Sequence, residues 1–371
     1  MTTKNIALVN GVIFNGQSLV NNQALLLADE KVCGIVALSD IPAGYVKQDV
    51  EGAYISPGLI DLQIYGTGDD LFSADIHRSA IGRIEQNLLA QGCTSFMLTL
   101  ATNTLEVFEQ AVQVFANANP KVALGLHLEG PFLNIHKRGA HPGELIVEGT
   151  IDRIKRLLRG GGEVVKMMTV APELMHIESI RYLLEHDVVL SAGHSAASFK
   201  QAMLGFDRGI TTSTHLWNAM SPFHHRDTGL PGAIFSHPSA RASIIVDGIH
   251  VDYTAVRLSK KLLGDRLFLI SDAVARCDKG IYQHVFKDDH YVLPDGTLSG
   301  SALSLLQAVA NCVNHAGISL DEALRMATVY PADVIGRTDI GNFNSGSWAN
   351  VVVFDHDFRI NSVYFQGERV V

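Results

Sequence analysis

The chain has 371 residues, 47% of them hydrophobic, which is enough for a large core built as one barrel with a small accessory domain. Its formal net charge of −9 argues against nucleic acid as the main partner, although a locally basic pocket would still accept an anionic substrate. The sequence holds no run of about 18 apolar residues, so it predicts no membrane span and no membrane partner.

The cysteines indicate the compartment. Cys33, Cys93, Cys277 and Cys312 are scattered and form no CxxC pair, which fits buried free thiols in a reducing compartment. The N-terminal segment is too short and polar for the apolar stretch of a signal peptide. We therefore expect a cytoplasmic enzyme.

Both ends of the chain are predicted to be β-rich. Short apolar runs separated by Asn-Gly and Asp-Glu breaks predict strands over residues 6–9, 11–14, 23–27, 32–36, 349–355 and 360–371. We expect them to form one small β-sandwich domain from both termini, residues 1–54 and 347–371.

The middle of the chain alternates between strand and helix patterns. Helices are predicted over residues 80–91, 104–117, 151–159, 177–186, 198–205, 252–263, 302–316 and 320–329. Strand patterns lie between them, and this rhythm predicts the α/β class and a (β/α)8 TIM-like barrel over residues 55–346.

Four apolar segments of this region each end on a residue that can bind a metal or move a proton. They are residues 122–129, 188–194, 210–215 and 267–272, which end on Glu129, His194, His215 and Asp272. A barrel presents its active site on such strand ends. Singly, the Glu would suit a rim ion pair, each His a hydrogen-bonded core position, and the Asp a helix N-cap. Four in series favour a metal hydrolase.

The residue types suggest how the work is divided. Glu129, His194 and His215 with one open position suit catalytic zinc, which lowers the pKa of a bound water towards neutrality. Asp272 is the candidate proton shuttle. Iron, cobalt and manganese remain open, because a Glu/His/His site accepts several metals.

Other polar residues are candidate substrate contacts. His141 follows Glu129 in a loop that could bring it over the metal, and Arg226 and His250 suit phosphate oxygens. The backbone N–H groups of Asn218 and Ala219 could meet an anion. Each of these residues, like the adjacent pair His224 and His225, would by itself be an ordinary solvated loop residue.

Short motifs along almost the whole chain carry a family resemblance. They are residues 56–61 (SPGLID), 127–134 (HLEGPFLN), 137–141 (KRGAH), 171–173 (APE), 191–195 (SAGHS), 214–220 (THLWNAM), 247–250 (DGIH), 271–273 (SDA) and 298–302 (LSGSA). With them the sequence resembles the N-acetylglucosamine-6-phosphate deacetylase family of the amidohydrolase superfamily. The resemblance implies a barrel of the amidohydrolase type and hydrolysis of N-acetylglucosamine 6-phosphate to glucosamine 6-phosphate and acetate, in amino-sugar catabolism.

The resemblance also implies roles for the metal site. Glu129, His194 and His215 would hold one divalent metal, zinc, in each subunit. Asp272 would be the catalytic acid and base, and His141 would polarise the acetamide carbonyl.

A second set of implied roles concerns the phosphorylated sugar. Asn218, Ala219, Arg226 and His250 would contact the sugar phosphate. Arg226 and His250 would reach it from the neighbouring subunit of a homodimer.

One position departs from the family pattern. Many amidohydrolases carry His-x-His after the first barrel strand for a second metal, whereas this chain has Gln63 and Tyr65. A neutral amide and a phenol are poor zinc ligands at neutral pH, so we predict a single metal. The single-metal relatives have Gln at the position of Gln63 but Asn at that of Tyr65.

Two alternatives stay open. The first is an amidohydrolase acting on another N-acyl sugar, including other N-acetyl hexosamine 6-phosphates, or on a cyclic amide. The second is a catalytically silent scaffold of the same fold, which would be expected to lack the metal ligands that this chain has.

Overall fold

The computed structural model describes residues 5–371, which divide into two compact units. One consists of the described residues up to Asp61 with Gln86–Ser95 and Ser304–Val371, and the other of Leu62–Glu85 and Phe96–Leu303. All the candidate site residues belong to the second unit. The domain limits predicted from the sequence, 54/55 and 346/347, remain a proposal.

The strands before the first long helix are β1 (Asn5–Val9), β2 (Val12–Phe14), β3 (Leu19–Val20), β4 (Gln23–Ala28), β5 (Lys31–Ala37), β6 (Val46–Asp49), β7 (Tyr54–Pro57), β8 (Leu59–Ile64), β9 (Gly66–Thr67) and β10 (Asp70–Leu71). Those that follow are β11 (Cys93–Ala101), β12 (Ala123–Glu129), β13 (Val165–Val170), β14 (Val189–Ala192), β15 (Thr212–Ser213), β16 (Ala242–Ile244), β17 (Leu267–Leu269), β18 (Val285–Lys287), β19 (His290–Val292), β20 (Val351–Phe354), β21 (Ile360–Phe365) and β22 (Glu368–Arg369).

The α-helices are α1 (Arg78–Ala90), α2 (Leu105–Ala118), α3 (Ile151–Leu157), α4 (Ile177–Glu185), α5 (Phe199–Asp207), α6 (Gly229–Ser236), α7 (Tyr253–Leu263), α8 (Leu305–Asn314), α9 (Leu320–Ala327) and α10 (Val329–Val334). Short 3₁₀ helices cover Leu38–Asp40, Ile135–Lys137, Gly143–Leu145, Gly162–Val164, Pro172–Leu174 and Gly264–Arg266.

The terminal strands form two sheets, in the orders β5-β4-β1-β6 and β22-β21-β20-β7-β2-β3. Strand β20 pairs antiparallel with β7, which joins the C-terminal strands to the N-terminal ones. Side chains of both sheets, including Leu8, Leu25, Ile13 and Val353, meet in one buried cluster. The predicted small β-sandwich made from both termini is therefore confirmed.

The central sheet is parallel, in the order β15-β14-β13-β12-β11-β8. All nine residues of β11 are buried, as expected for a strand covered on both faces. Strands β16 and β17 form a further parallel pair. Parallel bridges from Ala273 to Ile64 and to Ser301 connect the segment after β17 to the end of β8. The predicted TIM-like barrel is confirmed.

The helices follow local signals where these are strong. Ser198 and Gln201 form a reciprocal capping box at the start of α5, and Thr104 caps α2. Helix α6 was not predicted, because Gly229, Pro231 and Gly232 all lie within it and disfavour a helix. Its buried apolar face outweighs that intrinsic preference.

Among residues 5–371 no cysteine forms a disulfide, and Cys93 and Cys312 are buried whereas Cys33 is exposed. In the part of the chain that the structure describes, no helix combines the length and the apolar character needed to cross a membrane.

Candidate active site

The functional residues predicted from the strand ends come together in one place. Glu129 is the last residue of β12, but His194 and His215 lie two residues beyond the ends of β14 and β15, and Asp272 lies three beyond β17. The strands thus end earlier than their apolar runs suggest. The backbone of these three residues has a positive φ, +46° at His194, +34° at His215 and +54° at Asp272. Positive φ values are unfavourable for residues other than glycine, and here they change the direction of the chain just after each strand.

The predicted metal ligands form a nearly regular triangle. Nε2 of His194 lies 3.1 Å from Nε2 of His215, and each of these atoms is 3.3 Å from Oε1 of Glu129. Ligands bound about 2.1 Å from a tetrahedral ion lie about 3.4 Å from one another. All three side chains are buried, so their donor atoms fit a divalent metal.

His141 adds a fourth potential ligand. Its Nε2 lies 3.0 Å from Oε2 of Glu129, and the ligand atoms of Glu129, His141 and His194 all lie within 4.8 Å of one another. This second set of three residues shares Glu129 and His194 with the triangle described above. This buried cluster and the fold together indicate a divalent metal.

Hydrogen bonds to the other ring nitrogens affect how the histidines can bind. Nδ1 of His194 lies 2.9 Å from the carbonyl oxygen of Lys137, so it donates there and leaves the lone pair of Nε2 free. His215 is held through its backbone, whose N–H donates to Oγ of Ser243 over 2.8 Å. Its Nδ1 is buried without a hydrogen-bond partner among the described residues.

Gln63 and Tyr65 lie against this cluster. Nε2 of Gln63 is 3.0 Å from Oε1 of Glu129, 2.7 Å from Oδ1 of Asp272 and 2.8 Å from the hydroxyl of Tyr65. The Tyr65 hydroxyl donates a short hydrogen bond to Oε2 of Glu129. Burial, with the negative charges of Glu129 and Asp272, raises the pKa of Tyr65 well above its ordinary value, so the phenol keeps its proton.

The environment of Asp272 tunes it for proton transfer. Burial raises the pKa of its carboxyl to about 6, the charge of Glu129 adds to the shift, and the imidazoles of His215 and His250 oppose it. A carboxyl that titrates near neutrality can both accept and return a proton, and a bound cation would lower its pKa. Burial would raise the pKa of Glu129 as well, but the neighbouring imidazoles of His194 and His141 hold it well below its ordinary value.

Tyr65, Glu129, His194, His215 and Asp272 line a cavity of about 180 Å³. Of the predicted substrate contacts, it is lined by His141, Asn218, Ala219 and His250. His250 is fixed at both ring nitrogens, with Nδ1 2.6 Å from Oδ2 of Asp247 and Nε2 2.7 Å from the carbonyl oxygen of Ser299.

Arg226 lies elsewhere. It is exposed and is not among the residues that line the cavity, and its Nη1 lies 3.1 Å from Nε2 of His225.

Sequence reasoning did not identify an apolar part of the cavity wall. Leu71, Ala101, Val274 and Tyr282 line it beside Tyr65. The hydroxyl of Tyr282 donates to the carbonyl oxygen of Thr102 over 2.7 Å and lies 3.3 Å from Nδ1 of His141. No sequence signal marks these positions, because they share no spacing and meet only through the fold.

Comparison with known proteins agrees with this geometry. The amidohydrolase family model matches residues 54–370, and the model of the NagA composite domain matches residues 6–55. The N-acetylglucosamine-6-phosphate deacetylase of Haemophilus influenzae is 32% identical over 98% of both chains. The human protein of the same name is 34% identical over 87% of this chain and 85% of its own.

Solved structures give the same result. The N-acetylglucosamine-6-phosphate deacetylase of Pasteurella multocida superposes with a TM-score of 0.94 and 33% identity, covering 98% of this chain and 99% of that one. The Mycobacterium smegmatis deacetylase, solved in complex with N-acetyl-D-glucosamine-6-phosphate, superposes with a TM-score of 0.93 and 29% identity, covering 99% of this chain and 100% of that one. The chain therefore belongs to the amidohydrolase family and, within it, to the N-acetylglucosamine-6-phosphate deacetylases.

Proposed function

We propose that this protein hydrolyses the N-acetyl group of N-acetylglucosamine 6-phosphate to give glucosamine 6-phosphate and acetate, in amino-sugar catabolism. The observation that carries the proposal is the ligand triangle of Glu129, His194 and His215, with Asp272 linked to it through Gln63 at the wall of one cavity. The relatives named for this activity, which match almost the whole chain, support it.

The proposed cofactor is one zinc ion per subunit, held by Glu129, His194 and His215. When bound, such an ion polarises a carbonyl and makes water a better nucleophile. A single metal is supported by Gln63 and Tyr65, because a neutral amide and a protonated phenol, both poor metal ligands, lie against Oε1 and Oε2 of Glu129.

The proton steps follow from the side chains. Asp272 takes a proton from the attacking water and returns it to the amide nitrogen as the C–N bond breaks, so that the amine leaves neutral. The N–H of Thr102 donates to Nδ1 of His141, so the proton of that imidazole is on Nε2, which is then a hydrogen-bond donor facing Oε2 of Glu129 and not a metal ligand. His141 can therefore donate to the acetamide oxygen as negative charge develops there.

The phosphate is proposed to meet groups around the cavity and from a second subunit. Asn218, Ala219 and His250 line the cavity of their own chain. Arg226 is exposed and outside that cavity, which suits a role in the site of a homodimer partner. The predicted role of His250 across the interface remains a prediction.

A cytoplasmic location is likewise inferred, since none of the cysteines in residues 5–371 forms a disulfide.

The experiment is steady-state amine release from N-acetylglucosamine 6-phosphate and from unphosphorylated N-acetylglucosamine, each with one equivalent of zinc. We expect a strong preference for the phosphorylated sugar. Release from neither compound would overturn the substrate assignment, and equal release from both would overturn the role given to the phosphate contacts.

A further inference from the structure

One continuous part of the cavity wall is apolar. Tyr65, Leu71, Ala101, Val274 and Tyr282 belong to one buried apolar cluster, and all five line the cavity. This cluster flanks Oε2 of Glu129, which the Tyr65 hydroxyl contacts, and His141, which the Tyr282 hydroxyl contacts.

Elsewhere the lining includes polar side chains, among them Asn218, His250 and Ser299, together with the apolar Ile245 and Leu298. Asn218 and Ala219 follow His215 after two intervening residues, and His250 and Ser299 are held together by a hydrogen bond. An N-acyl sugar phosphate has the same division, because its acyl group is apolar whereas its ring and phosphate are polar. With the reacting carbonyl at the ligand triangle, the acyl group would contact the apolar wall, and the sugar ring and phosphate would contact the polar lining groups.

Tyr65 is fixed at both ends. Its hydroxyl contacts Glu129 and Gln63, and its backbone N–H donates to the carbonyl oxygen of Ala273 over 2.9 Å. Only 7% of the residue is exposed. The ring therefore cannot turn away from an incoming group without breaking these contacts.

A tight hairpin holds Leu71 beside the ring. Leu71 pairs with Gly66 between β10 and β9, and the N–H of Phe72 donates to the carbonyl oxygen of Tyr65 over 3.0 Å. Gly66 permits this approach, because a Cβ at that position would lie 2.2 Å from the carbonyl oxygen of Asp70. The apolar wall is thus held by backbone as well as by side chains.

We propose that Tyr65, with Leu71, Ala101, Val274 and Tyr282, forms the acyl-binding pocket and that its fixed ring limits the acyl group to acetyl. The inference rests on the proposed deacetylation and deepens it, since it assigns acyl selectivity to named residues of the cavity wall. An added methylene on the acyl group would clash with the Tyr65 ring, which its contacts keep from rotating away. One methylene changes the specificity by about 10- to 200-fold.

The test measures kcat/KM for N-acetyl, N-propionyl and N-butyryl glucosamine 6-phosphate with the zinc-loaded protein. The wild type should prefer acetyl to propionyl by about tenfold or more, and Tyr65→Asn should reduce that ratio by about tenfold. Tyr65→Phe is the matched control, because it removes the hydroxyl but keeps the ring and should keep the acyl preference. Leu71→Ala, which alters no proposed metal ligand, should relax the preference in the same direction.

Binding gives a readout that does not require turnover. Dissociation constants of the same three compounds, measured by calorimetry on Asp272→Asn with and without Tyr65→Asn, should show the same change in acyl preference. Unchanged acyl ratios in both Tyr65→Asn and Leu71→Ala would overturn the pocket while leaving the deacetylase in place. If the wild type does not hydrolyse the acetyl compound, the proposed function fails. The binding series then decides on the pocket, and equal affinities for all three compounds would overturn it.

Discussion

The amide nitrogen of Gln63 lies 2.7 Å from Oδ1 of Asp272, a residue 209 positions away in the chain. The same nitrogen is 3.0 Å from Oε1 of Glu129. One neutral side chain therefore holds the proposed proton acceptor and a proposed metal ligand in a fixed relation. A variant that keeps the hydrogen bond but removes the acid can separate positioning from proton transfer.

Asp272→Asn should retain the metal and lose turnover. Asn can still accept from Gln63 through its side-chain oxygen, but it cannot take a proton from water. We expect kcat to fall by about 10²- to 10⁴-fold. Metal content measured by mass spectrometry should match the wild type, and Asp265→Asn, at an exposed position, is the control. A near-normal kcat would show that another group moves the proton.

Arg226→Ala should raise KM for the phosphorylated sugar without changing that for the unphosphorylated one, because the guanidinium is proposed to meet the phosphate. Mixing Arg226→Ala with Asp272→Asn subunits under exchange conditions tests the cross-subunit role. A hybrid dimer then has one site with every group intact. At a substrate concentration far below the KM of Arg226→Ala, where that variant is slow, subunit exchange should raise the activity of the mixture towards about a quarter of wild type. If the activity stays at the mean of the two separate variants, Arg226 does not act across an interface.

Removal of the metal should abolish amine release and lower the melting temperature. A ligand that binds only the folded state stabilises it by about 4 kcal/mol at a thousandfold excess over its Kd. Dialysis against a chelator, followed by addition of one equivalent of zinc, should remove and then restore both properties. Full activity in protein shown to be metal-free would contradict the proposed mechanism.

Gly193→Ala should destabilise the protein at the site. A Cβ there would lie 2.8 Å from Cγ2 of Thr169 and 2.9 Å from Cβ of Thr214. These threonines are held by a mutual 2.7 Å hydrogen bond and have little room to move. We expect urea denaturation to show a loss of about 1–3 kcal/mol.

Gly82→Ala is the control for that substitution. Gly82 lies in α1, where an added Cβ meets nothing within 4 Å. Alanine favours a helix over glycine, so we expect a gain of about 0.5–1 kcal/mol. A Gly193→Ala protein as stable as the wild type would mean that the strand end adjusts to the added methyl group.

His284 should make stability depend on pH. Its side chain is 4% exposed, and burial lowers its pKa below the ordinary value. The unfolded chain then binds a proton at a higher pH than the folded one, so stability falls as pH drops below about 6.5. The loss ends once the pH is below the pKa of the folded state.

The measurement is urea denaturation of the wild type and His284→Gln between about pH 8 and pH 5. The difference in unfolding free energy between them should move against the wild type as the pH falls. A constant difference would show that His284 does not contribute.

The strand-end pattern was enough to identify Glu129, His194, His215 and Asp272 as candidates, because parallel strands bring their carboxyl ends together. It did not show that three of these residues lie beyond the strand ends and have a positive φ, because a run of apolar residues carries no information on backbone dihedral angles. Leu71 and Tyr282 could not be found from the sequence. They reach the cavity through a hairpin and a long loop segment whose positions only tertiary contacts decide.

The backbone conformation of His194, His215 and Asp272 has a consequence for engineering. Each of these residues adopts the left-handed backbone conformation that glycine tolerates best. For another residue this conformation costs about 1 kcal/mol or more. Asp272→Gly would relieve that strain, together with the cost of burying a carboxylate, while removing the chemistry. A search for heat-resistant variants that screens folding alone would therefore favour loss of the catalyst, and thermostabilisation of this enzyme must keep hydrolysis under selection throughout.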